Sequence, residues 1–141
     1  MKMLTTLTFH NAYKPHAVDT KPIIKVASKI GVDFQVLVKS SVNIIFCSDF
    51  IIRKLNRTYR SKDSTTDVLS FPFLEPDFLG EIYISVDRVK VQARKYGFTF
   101  EEEMRRMVVH GIFHLLGYDH LSEKERITME KLEKKYHCLD V

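Results

Sequence analysis

The chain has 141 residues, of which 45% are hydrophobic and 28% charged. This composition is typical of one globular domain with a buried core, predicted here over residues 1–141, and it excludes a disordered or fibrous chain. The formal net charge of +4 is too small to select a partner by itself. No stretch reaches the roughly 18 apolar residues of a membrane span and no secretory signal is evident, so we expect a cytoplasmic protein without membrane contact.

The first part of the chain is predicted to form one strand and one helix. Leu4–Phe9 is rich in Thr and apolar residues, which indicates a strand. Asp19 or Thr20 can cap the next helix, and Gly31 is expected to end it, because Gly tolerates the left-handed conformation found after a helix. The predicted buried face of this helix comprises Ile23, Ile24, Ala27 and Ile30.

A second strand and helix are predicted between residues 42 and 60. Val42–Cys47 has the β-branched and apolar residues of a strand, and Ser48 is a suitable cap for a helix that ends near Arg60. Apolar residues recur at every fourth position of this helix, which predicts that they form its packed stripe. They are Ile51, Leu55 and Tyr59.

The remaining segments predict two paired strands followed by three helices. The strands are Val68–Phe71 and Ile82–Val86, and the helices follow from Asp87 to Gly97, from Thr99 to Leu116 and from Ser122 toward Tyr136. The predicted loop between the two strands contains Pro72, Pro76 and Gly80. Strands and helices interleave in the first two thirds, and the last third is helical. This order predicts an α+β fold, in which one small mixed sheet packs against several helices.

Three histidines at the end of the predicted fourth helix have the spacing of metal ligands. His110 and His114 lie one helical turn apart on the same face, so their imidazoles can bind one ion. Gly117 allows the chain to turn, and His120 can then supply a third ligand. A lone buried histidine is more often a core residue than a ligand, but three without partners would each cost a few kcal/mol. Three neutral nitrogen ligands suit one zinc ion and leave a position for water.

The same histidine spacing occurs in metzincin proteases, in the signature H-E-x-x-H-x-x-G-x-x-H. The Glu of that signature is the general base that activates the zinc-bound water. Gly111 stands at this position here and cannot act as a base. A zinc hydrolase of peptides or small molecules is therefore an alternative rather than the favoured function.

The densest basic cluster, between Phe50 and Lys62, contains no acidic residue. In a helix, Arg53, Arg57 and Arg60 share one stripe, which can hold RNA phosphates or can be a solvated surface. A second basic cluster is interpreted as solvated surface. It comprises Arg88, Lys90, Arg94 and Lys95.

Several motifs together resemble the YbeY family. They are N-R-T-Y-R at residues 56–60, T-D-V-L-S-F at residues 66–71, G-E-I at residues 80–82 and H-G-I-F-H-L-L-G-Y-D-H at residues 110–120. The resemblance covers most of the chain from Asn56 to the final helix. It implies a zinc-dependent endoribonuclease, specific for single-stranded RNA, that matures the 3′ end of small-subunit ribosomal RNA and takes part in ribosome quality control. The implied partners are ribosomal RNA, the small ribosomal subunit and its assembly factors.

The resemblance also assigns roles by position. It implies that His110, His114 and His120 bind the metal and that Arg60 takes part in RNA cleavage, where its planar guanidinium can bond two phosphate oxygens. No general base is evident, so the attacking group is either the metal-activated water or the RNA 2′-hydroxyl. A non-catalytic ribosome assembly factor, with a metal that only secures the fold, is a further alternative.

The other polar and aromatic candidates have weaker signals. Glu81 and Asp119 are candidates for orienting a ligand imidazole by accepting a hydrogen bond, and Asp119 is equally suited to cap the turn after Gly117. Tyr59 is interpreted as a core residue, whereas Tyr118 is a candidate for stacking on a base. The hydroxyl residues interpreted as structural are Thr65, Thr66 and Ser70. Both cysteines, Cys47 and Cys138, lie outside any C-x-x-C pair and are predicted to be free thiols.

Overall fold

The computed structural model describes residues 6–11, 18–34, 40–119 and 121–137, and within these ranges the chain forms four strands and five helices. The strands are β1 (Thr6–Asn11), β2 (Ser41–Cys47), β3 (Val68–Glu75) and β4 (Phe78–Ser85). The helices are α1 (Lys21–Phe34), α2 (Asp49–Arg60), α3 (Val86–Tyr96), α4 (Phe100–Leu115) and α5 (Glu123–His137). The start of the predicted first strand, together with His120 and Cys138, lies outside the described residues.

The strands form one mixed sheet in the order β1-β2-β4-β3. β1 pairs with β2 and β2 with β4 in parallel, whereas β3 pairs with β4 in antiparallel orientation. This arrangement confirms the predicted fold class. The single domain over residues 1–141 stays a prediction.

The hairpin of β3 and β4 is longer than the sequence predicted. Its turn contains only Pro76 and Asp77, so the prediction of a loop that also holds Pro72 and Gly80 is wrong. Pro72 is tolerated because β3 is an edge strand. Gly80, opposite Pro72, has φ +156°, and a Cβ there would lie 2.3 Å from the Phe71 carbonyl oxygen. Only Gly allows the two strands to approach this closely.

Two predictions for α1 are wrong. The helix continues past Gly31 to Phe34, because Gly31 is buried in the packed face of the helix and does not adopt a positive φ. Ile24 is 44% exposed, and Val26 is buried in its place. The observed buried face follows i, i+3, i+4, i+7 spacing: Ile23, Val26, Ala27 and Ile30.

The predicted bounds of α2 are confirmed, but its predicted packed stripe is correct only at Leu55, which packs against the buried cluster that contains Ile52. Ser48 caps the helix by accepting a hydrogen bond from the Ile51 N–H, and Ser61 ends it in the left-handed conformation. Ile52 and Asn56 are the buried residues, and Tyr59 is exposed. The buried face of α2 includes the polar residue Asn56, so a search for apolar spacing does not find this face. Asn56 can be buried because its amide donates to the Ser64 carbonyl oxygen at 2.9 Å.

The predicted ends of the last three helices agree with the structure. Gly97 ends α3 at φ +77°, and Thr99 and Glu102 form both hydrogen bonds of a capping box at the start of α4. A second capping box precedes α5, between Ser122 and Glu125. α4 packs against β3 and β4 of the sheet and also against α1, α3 and α5, so the helix that bears the histidines lies at the centre of the fold.

Candidate metal centre and cleft

α4 places two of the predicted ligands together. The Nε2 atoms of His110 and His114 are 3.1 Å apart, with the ring planes at 81°. Both side chains are half-buried, and both line a cleft at the C-terminal end of α4. The one-turn spacing therefore brings the two imidazoles together, as the sequence predicted.

Gly111 lets this helix lie against the sheet. A Cβ at this position would be 2.7 Å from Cγ2 of Ile82, a fully buried residue of β4. The Ser70 hydroxyl donates to the Gly111 carbonyl oxygen at 3.1 Å, which ties α4 to β3. The position of the metzincin general base thus faces the sheet, where a Glu side chain has no space.

Glu133 of α5 contacts His110, the first histidine of the pair. Its Oε2 lies 2.5 Å from Nδ1 of His110, and the residue is only 8% exposed. The prediction that Glu81 orients an imidazole is wrong, because the Glu81 carboxylate accepts hydrogen bonds from Asn43 and Tyr83. The role predicted for Asp119, which lines the cleft, stays a prediction.

Sequence reasoning missed Glu133, although the sequence carries a signal for it. Glu133 follows Met129 by four positions and precedes Tyr136 by three, so it lies on the buried face of α5. A carboxylate on an apolar face needs a partner, and an imidazole is a suitable one. The identity of that partner depends on how α5 packs on α4.

The two described histidines fit a metal ion. If His110 donates from Nδ1 to Glu133, its Nε2 presents a lone pair to the cleft, which is the usual arrangement of a ligating imidazole. Two nitrogens bound to one tetrahedral zinc lie about 3.3 Å apart, close to the observed 3.1 Å. Among the residues that the structure describes, no group of three His, Cys, Asp or Glu side chains could hold a metal. The third ligand, His120, stays a prediction.

The cleft has a volume of about 680 Å³ and also receives the end of α2. Arg60, the last residue of α2, lines it together with His110 and His114. The structure thus brings together the predicted catalytic arginine and two of the predicted ligands. The lining residues are Arg60, Lys62, Thr66, Asp67, Val68, Ser70, Pro72, His110, His114, Gly117, Tyr118, Asp119 and Leu121.

The predicted stripe of three arginines on α2 is divided. Arg53 and Arg57 both pair with Asp63, at 2.9 Å and 3.5 Å, whereas Arg60 extends to the cleft. The Arg53 guanidinium, which donates to Asp63, lowers the pKa of that carboxyl group. The second basic cluster was predicted to be solvated surface. This prediction is wrong for Arg88, whose guanidinium pairs with the Asp49 carboxylate at 3.1 Å.

Other predicted side chains have structural contacts. The hydroxyls of Thr65 and Thr66 donate to Asp49 and Asp67, and the Ser70 hydroxyl donates to α4. These bonds agree with the structural interpretation, which stays a prediction for Thr66 and Ser70 because both line the cleft. Tyr118 lines the cleft and packs edge-to-face against Phe113 and Phe34. Its role in base stacking stays a prediction.

Cys47 is a free, buried cysteine, as predicted. Burial, and after it the charge of Asp49, raises the pKa of the Cys47 thiol to about 12. Such a thiol is unreactive at neutral pH. Within the residues described, no helix has both the length and the apolar character that crossing a bilayer requires.

The fold and the site define a small α+β protein in which an imidazole pair, supported by a carboxylate, faces a cleft with basic residues at its rim. A sequence profile described as "Endoribonuclease YbeY" matches residues 9–138. The chain belongs to the YbeY family. The family predicted from the motifs is therefore confirmed.

Relatives and a known structure support this assignment. An "Endoribonuclease YbeY" of Acholeplasma laidlawii is 37% identical over 92% of both chains. Proteins of the same name from Thermodesulfovibrio yellowstonii and Alkaliphilus metalliredigens are 48% and 46% identical, over 67% and 66% of this chain. Those two alignments span 63% and 66% of the relatives' lengths. The solution structure of a Thermotoga maritima protein superposes with a TM-score of 0.64 and 33% identity, over 95% of this chain and 87% of that one.

Proposed function

We propose that this chain is a metal-dependent endoribonuclease that cleaves single-stranded RNA, and that it matures the 3′ end of small-subunit ribosomal RNA in the cytoplasm. The proposed metal is one zinc ion, bound by His110, His114 and His120. The proposed partners are ribosomal RNA, the small subunit and its assembly factors. The observation that carries the proposal is the cleft itself, which Arg60, His110 and His114 line together.

The residues of the cleft have complementary tasks in phosphodiester cleavage. When bound, zinc supplies Lewis-acid chemistry to the phosphate. Glu133 fixes the His110 ring through Nδ1, which directs Nε2 toward the cleft. Arg60 bonds the phosphate oxygens through its planar fork and neutralises the charge that builds up on phosphorus. Lys62, on the same rim, adds a second cation.

The alternatives receive less support. The curated relatives are named endoribonucleases, not peptidases or assembly factors. A metzincin-like hydrolase would need a general base at Gly111, whose Cα faces Ile82 with no space for a side chain. If the protein were a non-catalytic assembly factor with a purely structural metal, removal of the metal would lower its stability, and there would be no RNA cleavage to lose.

The test in cells compares the 3′ ends of small-subunit ribosomal RNA in a strain that lacks this protein. The strain is complemented with the wild type, His114→Ala, Arg60→Ala or Arg53→Ala at matched expression. Arg53 is the control, since it lies on the same helix but pairs with Asp63. We expect unprocessed ends that only the wild type and the control correct. Full rescue by His114→Ala and Arg60→Ala would contradict the proposed mechanism.

A test with the purified chain identifies the attacking group. Cleavage of a labelled single-stranded RNA is measured after chelation and after zinc is restored, and the product ends are analysed. A 3′-hydroxyl with a 5′-phosphate fits attack by water at that position, whereas a 2′,3′-cyclic phosphate means attack by the RNA 2′-hydroxyl. Cleavage that persists at the wild-type rate in His114→Ala after chelation would refute a metal-dependent reaction.

A further inference from the structure

Tyr59 is an exposed aromatic side chain beside the proposed phosphate-binding arginine. The residue is 67% exposed, although the apolar spacing of α2 predicted that it is buried. It precedes Arg60, which lines the cleft.

The ring is exposed but held in place. It contacts Phe71 of β3 edge-to-face, with centroids 5.6 Å apart, and Phe71 contacts Tyr83 of β4 in the same way at 5.7 Å. Such contacts stabilise one orientation of each ring. Tyr59 therefore offers an ordered aromatic face to solvent.

Its position relates to the cleft through the edge strand. Ser70 and Pro72 line the cleft, and Phe71 between them points to the other face of the sheet, because successive side chains alternate along a strand. β3 is an edge of the sheet. Tyr59, which contacts Phe71, thus lies across this edge from the cleft, whereas the next residue in the chain, Arg60, lines the cleft.

The local charge favours a nucleic acid. Residues 50–62 contain five cations and no carboxylate. Two of these cations, Arg53 and Arg57, pair with Asp63, whereas Arg60 and Lys62 line the cleft. Proteins that bind single-stranded nucleic acid combine such cations, which follow the phosphates, with aromatic rings on which bases stack. A phosphate at Arg60 places a neighbouring nucleotide next to the Tyr59 ring.

We propose that Tyr59 is a subsite for an unpaired nucleobase, on which the RNA strand held in the cleft stacks one base after it crosses the edge of β3. This proposal rests on the proposed function, because it assumes that the cleft holds RNA. The subsite favours single-stranded RNA over a duplex, since a paired base has no free face to stack on the ring.

The test measures binding of a short fluorescent oligouridine whose 2′-O-methyl and phosphorothioate groups prevent cleavage. The full chain with zinc is compared with Tyr59→Ala, Tyr59→Phe and the control Tyr96→Ala. Tyr96 is a close match, since it is 59% exposed and also lies in a basic segment, beside Lys95. We expect Tyr59→Ala to raise the Kd about fivefold or more, and Tyr59→Phe and Tyr96→Ala to change it less than about twofold.

A second measurement reports the contact directly. The chain contains no Trp, so Tyr59→Trp and Tyr96→Trp each introduce one fluorophore. We expect the oligouridine to quench the fluorescence of Tyr59→Trp and to leave that of Tyr96→Trp unchanged. If the wild type binds the RNA but Tyr59→Ala binds it equally well and Tyr59→Trp is not quenched, the subsite is refuted and the proposed function stands. If the wild type binds no RNA, both proposals fail.

Discussion

Substitution of Gly111 by Ala tests how closely α4 packs on the sheet. The added Cβ would lie 2.7 Å from Cγ2 and 3.1 Å from Cδ1 of Ile82. Ile82 is fully buried and β-branched, so these methyl groups cannot move without a shift of the core. Overpacking of this kind costs about 1–3 kcal/mol. A change from Gly to Ala inside a helix recovers up to about 1 kcal/mol. We expect the free energy of unfolding to fall by about 1–2 kcal/mol.

The measurement is guanidinium unfolding followed by circular dichroism, with the midpoint and slope compared between variants. Ile82→Ala provides the control background, because it removes the methyl groups that the new Cβ would meet. In that background Gly111→Ala should become neutral or stabilising, so the two substitutions should couple. An equal loss of stability in both backgrounds would refute the argument from close packing.

Three other changes have definite expected outcomes. Glu133→Ala should weaken zinc binding about 10–100-fold, measured by competition with a chelator. Glu130→Ala, on the exposed face of α5, is the control and should leave the affinity unchanged. Equal affinities of the two variants would contradict a positioning role of Glu133. Thr99→Ala removes half of the α4 capping box and should cost about 1 kcal/mol, seen as a lower thermal midpoint; an unchanged midpoint would contradict this. Burial, and after it Arg106, lowers the pKa of His137 from 6.5 to about 4. Between these values the unfolded chain binds a proton that the folded chain does not, so stability is lost as pH falls from 6.5 toward 4. His137→Gln should flatten this part of the stability profile, and an unchanged profile would contradict the assignment.

Features specified by local interactions were predictable from the sequence. Ser48, the Thr99 capping box and Gly97 each act through hydrogen bonds or backbone conformations within one turn, and each was placed correctly. The packed stripe of α2 was not predictable in this way, because a polar residue, Asn56, occupies the buried face. The predicted end of α1 at Gly31 is wrong, because Gly31 is a buried residue inside the helix and does not adopt a positive φ.

The candidate site shows the same division between local and distant determinants. One helical turn brings His110 and His114 together, so their spacing predicts their proximity. Glu133 is separated from His110 by 23 residues, and only the packing of α5 on α4 brings it within reach. Helix periodicity alone groups Arg60 with Arg53 and Arg57, and only the family motif distinguished it. The structure separates them, because Arg53 and Arg57 pair with Asp63 and Arg60 lines the cleft.

The strand order affects the growing chain during synthesis. β2 pairs on one side with β4, which follows it by more than 30 residues. Until the ribosome has released β4, this side of β2 carries unpaired peptide groups beside Val42, Ile44 and Phe46. An apolar strand with an open edge can pair with another chain. After β2 emerges, the nascent protein can therefore misassemble through this edge until β4 enters the sheet.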